Sequence, residues 1–554
     1  MKSWYATLMG FAMIAAVSKS STAVSGTNFA DGSFTDALRN TKLPGSSAWK
    51  ALLEEGPAVS PAPPLPHCMS TPEVPPRSDI QQFNATYMKE LTDFFLHTTL
   101  GPCQKGPQFP SSTSVSGAFI LGGKVTYFNY GCVSKDKPNT APTEKTIYRL
   151  ASNSKTFAVE TAIQAYAEGK IASFDDELRK YFPDFKIKNP FGTAQPTFRQ
   201  LMSQLGGIPR EGPCVDCNIT SSVILQRIAE FNTIMMRPWT RPSYSNLAYS
   251  LIGNLIAERL YDKQWGDFLV ENIARPLGMN TTGLNYTSTV LSKMVVNYLL
   301  DGSVAPFDHL GWLNPAGGVY STAEDMALWI LHYLNEWKED SSLGELRRNT
   351  MLQVFENPGG FTGFGAPWEI FSSSGYLVRT KTGDLPGLTT FTAMVPELDF
   401  GLVFLWNGEG IQTIPLGKSL FGSIIPALRE QYTQYQENNF PEVSTDFLNQ
   451  YEGIYHGPGI AAVVNTTWVP IVKNTRVAVI DLEHYGVWML KPEASTEGGN
   501  LSYSFRVFVN RQMVSCYEWE VQADPGEWIY FQTLDDGTRM FRSQYTNFTT
   551  SSTN

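Results

Sequence analysis

Alternating apolar and polar residues predict two hairpins at opposite ends of a long helical stretch. Segments 115–121 and 124–130 flank a Gly-Gly pair, and segments 391–395 and 401–406 flank Pro-Glu-Leu-Asp. Both arrangements are typical of two strands joined by a short turn. Between the hairpins, apolar residues recur at helical spacing, most clearly over 153–169. Strands at both ends of a helical stretch predict one antiparallel sheet completed by sequence-distant segments, which is an α+β arrangement.

The pattern changes towards both ends of the chain. Residues 57–76 hold eight prolines, which favours extended backbone and excludes a helix or a central strand. We assign them to a Pro-rich lead over 24–80, and a segment with helical periodicity follows at 88–100. Beyond residue 440, short runs rich in Val, Trp and Phe are separated by Gly, Asn and Asp. This texture predicts a small all-β domain over 440–554, either a sandwich or a barrel.

The amino-terminal residues have the pattern of a secretory signal peptide. Lys2 precedes an uncharged apolar stretch from Trp4 to Val17, and small and polar residues follow it. A charged start, an apolar core and a small-residue cleavage zone predict a signal peptide over 1–23. The apolar stretch is shorter than the roughly 20 residues that a spanning helix needs. We therefore expect a secreted, extracellular protein that has no membrane attachment after signal cleavage.

Cysteine and asparagine positions agree with an oxidising compartment. Six cysteines form an even set, as is common among disulfide-bonded proteins. We expect Cys214 and Cys217 to pair locally, and a redox or zinc half-site is the alternative interpretation of this C-x-x-C. Asn-x-Ser/Thr sequons predict a glycoprotein if the host glycosylates; they begin at Asn84, Asn218, Asn280, Asn285, Asn465, Asn500 and Asn547.

Charge and histidine usage exclude several classes of function. The formal net charge is −10 and basic residues are not clustered, so we expect no nucleic-acid partner. The histidines are scattered, without the spacing of a helical zinc pair, so we predict no metal and no cofactor. The chain also lacks the G-x-S-x-G elbow of α/β-hydrolases and the G-x-x-x-x-G-K-[ST] phosphate loop.

Candidate chemistry begins with the Ser-Asn-Ser-Lys motif of residues 152–155, at the start of the long helix. Ser152 and Lys155 are three residues apart and share a helix face, so the amine can reach the hydroxyl and activate it. The helix start adds partial positive charge where an oxyanion would develop. Ser134 and Lys137 have the same spacing, but they lie in a polar turn. The alternative role for Ser152 is a helix N-cap.

Two more polar motifs follow along the chain. Tyr244 and Asn246 form a Tyr-Ser-Asn motif directly before an apolar run with helical character. A Lys-Thr-Gly motif at 381–383 leads into the strand predicted at 391–395. Each motif is weak alone, but a nucleophile, a Tyr-x-Asn and a Lys-Thr-Gly in this order point to one acylation site.

This set resembles that of serine β-lactamases and penicillin-binding proteins, specifically the class C β-lactamase and D,D-peptidase/esterase family. The resemblance covers about residues 110–425. It extends to four further segments. Residues 147–151 resemble the lead into the nucleophile, and residues 197–209 resemble a T-x-R-x-L-L-x-H-T-S-G-L-P segment. Residues 275–279 resemble a P-L-G-M turn, and residues 316–326 resemble an A-G-G-x-x-S-T-A-x-D-M helix start. Within the second of these, Gln204-Leu205-Gly206 replaces the usual His-Thr-Ser.

The resemblance implies an acyl-enzyme mechanism. Ser152 would attack the carbonyl, either Lys155 or Tyr244 would act as the base, and Tyr244 would protonate the leaving group. Asn246 would position either the substrate amide or the lysine. Lys381 would stabilise an ionised Tyr244 and attract a substrate carboxylate. Backbone N–H groups of Ser152 and Asp384 would form the oxyanion hole. The implied substrate-binding residues are Asn246, Lys381, Thr382, Gly383 and Asp384.

The resemblance also implies a fold and a function. We expect a β-lactamase-like antiparallel sheet sandwiched by helices over 81–435, followed by a lipocalin-like all-β domain. The expected function is secreted hydrolysis of an ester, amide or lactam in a small molecule or peptide. Two alternatives stay open: an acyltransferase that tailors a small-molecule metabolite, and a catalytically silent member that binds a ligand.

Overall fold

The computed structural model describes eleven stretches of the chain and divides it into two compact units. The units comprise Val74–Leu428 and Arg429–Asn554, apart from the amino-terminal residues. The predicted signal peptide, nearly all of the predicted lead and the helix predicted at 88–100 lie outside the described residues. The described residues are 74–80, 114–214, 217–339, 344, 363–408, 413–469, 475–482, 487–493, 503–508, 527–543 and 546–550.

The first unit contains a seven-stranded antiparallel sheet. Its strand order is β2-β1-β9-β8-β7-β6-β5, and a separate two-stranded ladder pairs β3 with β4. Both predicted hairpins are confirmed, and β1 pairs antiparallel with β9, so sequence-distant strands complete the sheet as predicted. The strands are β1 (Ser114–Leu121), β2 (Lys124–Gly131), β3 (Tyr148–Arg149), β4 (Tyr320–Ser321), β5 (Gly363–Phe364), β6 (Glu369–Ser373), β7 (Tyr376–Leu385), β8 (Leu388–Val395) and β9 (Phe400–Asn407).

The described residues of the two units also form helices. Short 3₁₀ segments lie at Ala151–Asn153, Arg275–Leu277, Gly311–Leu313 and Pro396–Leu398, and Leu269–Ala274 is a π-helix. The α-helices are α1 (Arg77–Ile80), α2 (Ser154–Ala167), α3 (Leu178–Tyr181), α4 (Phe198–Met202), α5 (Ser221–Phe231), α6 (Asn246–Leu260), α7 (Trp265–Phe268), α8 (Ser288–Lys293), α9 (Asn314–Gly317), α10 (Ala323–Lys338), α11 (Thr413–Asn438) and α12 (Thr445–Tyr451).

Two helices cover opposite faces of the sheet. Phe400 on β9 contacts the Phe421 ring of α11 at a centroid distance of 5.8 Å. The next residue, Gly401, lies against Ile330 of α10, where a Cβ would come within 2.4 Å of the Ile330 side chain. Successive residues of a strand face opposite sides, so α10 and α11 lie on different faces. The expected sandwich of a sheet between helices is therefore present.

The helix that contains Lys155 of the Ser-x-x-Lys motif runs through the main hydrophobic core of the first unit. Helix α2 is buried over most of its length, unlike an amphipathic surface helix. Its Phe157 ring stacks on Trp329 of α10 with centroids 4.4 Å apart, and both side chains are fully buried. A helix surrounded on all sides by packed side chains is a rigid base for a catalytic residue.

The second unit is a closed barrel with its own aromatic core. Phe447 of α12 lies inside it, with ring centroids 4.8 Å from those of both Phe505 and Phe531, and all three side chains are buried. The barrel resolves the predicted choice between sandwich and barrel. Its strands are β10 (Gly453–Gly457), β11 (Ile460–Val469), β12 (Thr475–Asp481), β13 (Val487–Glu493), β14 (Tyr503–Phe508), β15 (Trp528–Thr533), β16 (Arg539–Arg542) and β17 (Asn547–Thr549).

The structure also bears on the predicted disulfide and on membrane-spanning helices. Cys214 and Cys217 form a disulfide with Cα atoms 5.2 Å apart, as predicted. Within the described part of the chain, no helix combines the length and apolarity needed to cross a bilayer.

Candidate active site

Ser152 lies on a tight turn that the preceding backbone holds in place. Ala151 has a left-handed φ of 48°, a conformation that costs a residue with a Cβ about 1–2 kcal/mol. The backbone directly before Ala151 is held in place, because Leu150 N donates to Val319 O at 2.8 Å next to the β3–β4 ladder. Strained backbone that the surrounding structure enforces is common where a reactive side chain must be aimed.

Lys155 is fully buried one turn after Ser152 and contacts three groups. Its Nζ lies 2.9 Å from Ser152 Oγ and 2.8 Å from Asn246 Oδ1. It also donates to the backbone oxygen of Ala316 at 2.6 Å. The predicted sharing of a helix face by Ser152 and Lys155 is therefore present. The third contact comes from α9, at Ala316, the first residue of the A-G-G segment.

The environment of Lys155 favours the neutral amine. Burial lowers the pKa of Lys155 well below its ordinary value of 10.5, and the positive charge of Lys381 lowers it further. Glu369 and Glu211 act in the opposite direction but do not outweigh these effects. A lysine with a lowered pKa can accept a proton near neutral pH, which an ordinary lysine does not.

Tyr244 lies against the nucleophile from the other side. Its Oη donates to Ser152 Oγ at 2.5 Å. The following residue, Ser245, is buried and caps α6, accepting from Ala248 N at 3.0 Å. Burial raises the pKa of Tyr244, and although Lys381 lowers it, the net direction is upward. Tyr244 is therefore held as a neutral phenol that can donate a proton.

Gln204 supports the segment that carries Tyr244. It is buried, has a left-handed φ of 65°, and its backbone oxygen accepts from Ser243 N at 2.7 Å. This is the position at which the sequence departs from the usual histidine. The backbone of the departing segment thus holds the residue before Tyr244.

Asn246 links Lys155 to an acidic residue that the sequence motifs do not include. Its Nδ2 donates to both carboxylate oxygens of Glu211, at 2.9 and 3.0 Å. A carboxylate only accepts hydrogen bonds, so Glu211 fixes the amide with Oδ1 directed at Lys155. Asn246 therefore positions the lysine, which is one of the two roles that the resemblance implied for it.

Lys381 is held by a buried carboxylate on the neighbouring strand. Its Nζ donates to Glu369 Oε1 at 2.8 Å and to Thr382 O at 2.9 Å, and neither side chain of the ion pair is more than 4% exposed. Burial would lower the pKa of Lys381, but Glu369 and then Tyr244 outweigh it and the pKa is raised. Glu369 was not identified from the sequence, because it belongs to no motif.

Thr382 also donates hydrogen bonds to Glu369. Its backbone N and its Oγ1 donate to Glu369 Oε2 at 3.2 and 3.0 Å. Lys381 and Thr382 were expected to contact substrate, and the structure instead directs their polar groups to this carboxylate. Their predicted role in substrate binding stays a prediction.

Gly383 brings β7 against the backbone of the nucleophile turn. A Cβ at this position would lie 2.9 Å from Ser152 N, 2.5 Å from Leu150 O and 2.4 Å from Thr390 Oγ1. Only a residue without a side chain permits this approach. The strand that carries the Asp384 N–H therefore runs beside the Ser152 N–H, as an oxyanion hole built from those two groups requires.

The alternative Ser-x-x-Lys pair lies elsewhere. Ser134 is buried, with its Oγ 3.0 Å from the hydroxyl of Tyr298. The long helix begins at Ser154 and not at Ser152, so the alternative role of Ser152 as the N-cap of this helix is wrong. Of the predicted residues, the structure gathers Ser152, Lys155, Tyr244, Asn246, Lys381, Thr382, Gly383 and Asp384 around one turn.

Comparison with known proteins identifies relatives of this chain. A human beta-lactamase-like protein is 30% identical over 349 residues, which span 60% of this chain and 68% of that protein. Beta-lactamase-like protein 2 of Dictyostelium discoideum is 34% identical over 294 residues, and the match covers 50% of this chain and 52% of that protein. The chain therefore spans only about half the length of the second relative.

Solved structures show the same fold at low sequence identity. The octameric penicillin-binding protein homologue from Pyrococcus abyssi aligns with a TM-score of 0.51 at 18% identity, covering 84% of this chain and all of that one. The beta-lactamase/D-alanine carboxypeptidase from Yersinia pestis complexed with citrate aligns with a TM-score of 0.50 at 21% identity, covering 62% and 99%. The Beta-lactamase family model matches residues 108–413. The chain belongs to the beta-lactamase family, whose fold supports serine acyl-transfer chemistry.

Proposed function

We propose that the protein hydrolyses an ester, amide or lactam of a small molecule or peptide through an acyl-enzyme on Ser152. The observation that carries this proposal is the set of three contacts around Lys155. A neutral amine has two N–H donors and one lone pair. Asn246 Oδ1 and Ala316 O can only accept, so they take the two N–H groups. The lone pair then faces the Ser152 hydroxyl.

Lys155 is accordingly the base of the acylation step. Its lone pair accepts the hydroxyl proton as Ser152 Oγ forms a bond to the substrate carbonyl carbon. Tyr244 is the proton donor to the leaving group, because its raised pKa keeps the phenol protonated and its Oη lies 2.5 Å from Ser152 Oγ. Water then attacks the acyl-enzyme carbonyl carbon and gives a proton to the Tyr244 phenolate. As the bond between that carbon and Ser152 Oγ breaks, the Lys155 ammonium returns its proton to Ser152 Oγ, which releases the acid and restores all three groups.

The backbone N–H groups of Ser152 and Asp384 complete the proposed site as the oxyanion hole. Gly383 supports this assignment, since it is the point at which β7 approaches the nucleophile turn. Donors that are fixed before the reaction begins stabilise the developing oxyanion without a reorganisation cost, and each is worth about 10²–10³ in kcat.

Labelling with a neutral fluorophosphonate probe tests the proposed nucleophile. We expect one added probe mass on the intact protein and a modified peptide that contains Ser152. Ser152→Ala should abolish the label. The control variant Ser134→Ala should keep the label, although Ser134 has the same spacing to Lys137 that Ser152 has to Lys155. A label that persists in Ser152→Ala would identify a different nucleophile and overturn the proposal.

We also propose that the protein acts outside the cytosol and that its barrel is lipocalin-like in architecture only. The Cys214–Cys217 disulfide supports an oxidising compartment. A ligand-binding barrel needs an open interior, whereas the described interior is filled by buried side chains such as Phe505, Phe531 and Phe541. This filling favours a structural role for the barrel over a binding role.

A further inference from the structure

The basic side chains around Tyr244 are compensated by acidic ones. Lys381 Nζ lies 5.4 Å from the centre of the Tyr244 ring, and the Arg210 guanidinium lies 4.7 Å from it. Lys381 forms its ion pair with Glu369 at 2.8 Å, and Arg210 Nε lies 3.2 Å from Glu211 Oε1. The third basic group near this ring is Lys155, which the contacts described above suit as a neutral amine.

The ion pair between Lys381 and Glu369 has no net charge, and it is buried and fully hydrogen-bonded on the Glu369 side. Both oxygens of Glu369 are engaged, one by Lys381 Nζ and the other by Thr382 N and Oγ1. The Lys381 side chain is 0% exposed and that of Glu369 is 4% exposed. An anion that sought Lys381 would have to displace a buried carboxylate from its hydrogen bonds, which leaves that carboxylate without a partner in a water-poor site.

The other charged groups that the structure describes near the site offer little to an anion. Asp384, directly after the Lys-Thr-Gly motif, adds another carboxyl group, which accepts from Thr389 Oγ1 at 3.0 Å. Arg149, close to Ser152 in sequence, is buried with its guanidinium 4.6 Å from the Phe307 ring. Its Nη2 donates to the backbone oxygen of Asp308.

We propose that this site selects acyl substrates without a carboxylate beside the scissile bond, and that Glu369 is the residue that sets this selectivity. The inference rests on the proposed acyl-enzyme function and names its substrate class: uncharged esters, amides or lactams. It replaces the expectation that Lys381 attracts a substrate carboxylate. Glu369 acts through Lys381 and does not touch the reacting atoms, so it is a specificity-determining and positioning residue.

A matched pair of aryl esters tests this selectivity. The two esters share the acyl group and differ only in a meta-carboxylate or a meta-carboxamide on the leaving phenol. The acyl group is varied through acetyl, butyryl and phenylacetyl, and Ser152 acylation is followed by intact-protein mass spectrometry. For the wild-type protein we expect the carboxamide ester to react at least tenfold faster in kcat/KM.

Variants of the ion pair separate charge from structure. Glu369→Gln removes the carboxylate that occupies and neutralises Lys381 and should shift the preference at least tenfold towards the carboxylate ester, mainly through KM. Lys381→Gln combined with Glu369→Gln restores neutrality and should return the preference to within about threefold of the wild type. Glu271→Gln makes the same chemical change in an exposed ion pair with Lys263 and should leave the preference unchanged.

The outcomes distinguish the inference from the function on which it rests. If neither ester of any acyl group acylates Ser152, the proposed function fails and the inference falls with it. If Ser152 is acylated but the wild-type protein prefers the carboxylate ester, the selectivity is overturned while the function stands. An unchanged preference in folded Glu369→Gln also overturns it. The wild-type comparison needs no variant, so the test survives a Glu369→Gln chain that does not fold.

Discussion

The reactivity of Lys155 is determined by the groups that surround its amine. Burial and the charge of Lys381 lower its pKa, whereas Glu369 and Glu211 raise it. Only the neutral amine can accept the Ser152 proton, so activity should follow the deprotonated fraction of Lys155 and rise with pH. Single changes among its neighbours should therefore move the active pH range in a direction set by charge.

Two isosteric substitutions should move the pH profile in opposite directions. Asn246→Asp places a carboxylate where an amide oxygen lies 2.8 Å from Lys155 Nζ. The negative charge stabilises the ammonium form, so the midpoint of kcat/KM should rise by about one pH unit or more. Glu211→Gln removes a group that raises the pKa of Lys155, so its midpoint should fall. Shifts of the same sign in both variants would contradict this account of Lys155.

The strands and helices of the first unit differ in how far the sequence predicts them. The hairpins β1–β2 and β8–β9 were predictable because each strand alternates or is continuously apolar and each turn has typical residues. Glu369 was not predictable, since it is a single charged residue at the start of the five-residue strand β6 and reaches Lys381 only through the pairing of β6 with β7. Glu211 lies in a loop, where no periodicity marks the residues that meet.

Strand β7 should tolerate no side chain at Gly383. A Cβ there would clash with backbone atoms of the nucleophile turn, so Gly383→Ala must push the strand away from Ser152. Since a small displacement of an oxyanion donor is costly, kcat should fall at least 100-fold. Gly422→Ala is the matched control, because a Cβ at that position in α11 has no atom within 4 Å and alanine favours a helix.

Equal activity of these two alanine variants would contradict the close approach of β7. Steady-state kinetics against one ester, together with a thermal unfolding scan of each variant, provides the comparison. A Gly383→Ala protein that unfolds near the wild-type temperature but has lost turnover would separate the geometry of the site from the stability of the fold.

The whole molecule comprises two units that each have a separate hydrophobic core. The boundary near residue 440 was predictable from the sequence, because apolar residues at helical spacing give way there to short strand-like runs. It did not predict that the barrel interior is filled, since the Phe447 side chain comes from helix α12, which precedes the first barrel strand. Packing of this kind depends on tertiary contacts that a strand pattern does not contain.

Removing a barrel ring should destabilise the second unit selectively. Phe531 is fully buried, so Phe531→Ala should cost about 3–5 kcal/mol of unfolding free energy. Hydrogen exchange should show faster exchange in β14, β15 and β16, with protection of β1 and β9 retained. Gln532→Ala, a half-exposed neighbour on the same strand, should change little. Equal loss of protection in both units would show that they unfold together.

The pH dependence of the single-turnover acylation rate of Ser152 determines whether Lys155 is the base. We expect the wild-type rate to rise with pH, with a midpoint below the ordinary lysine pKa of 10.5. Tyr244→Phe should react more slowly yet keep this rise, whereas Lys155→Ala should lose it together with at least three orders of magnitude in rate. A rise that survives in Lys155→Ala and disappears in Tyr244→Phe would make the tyrosinate the base and contradict the account.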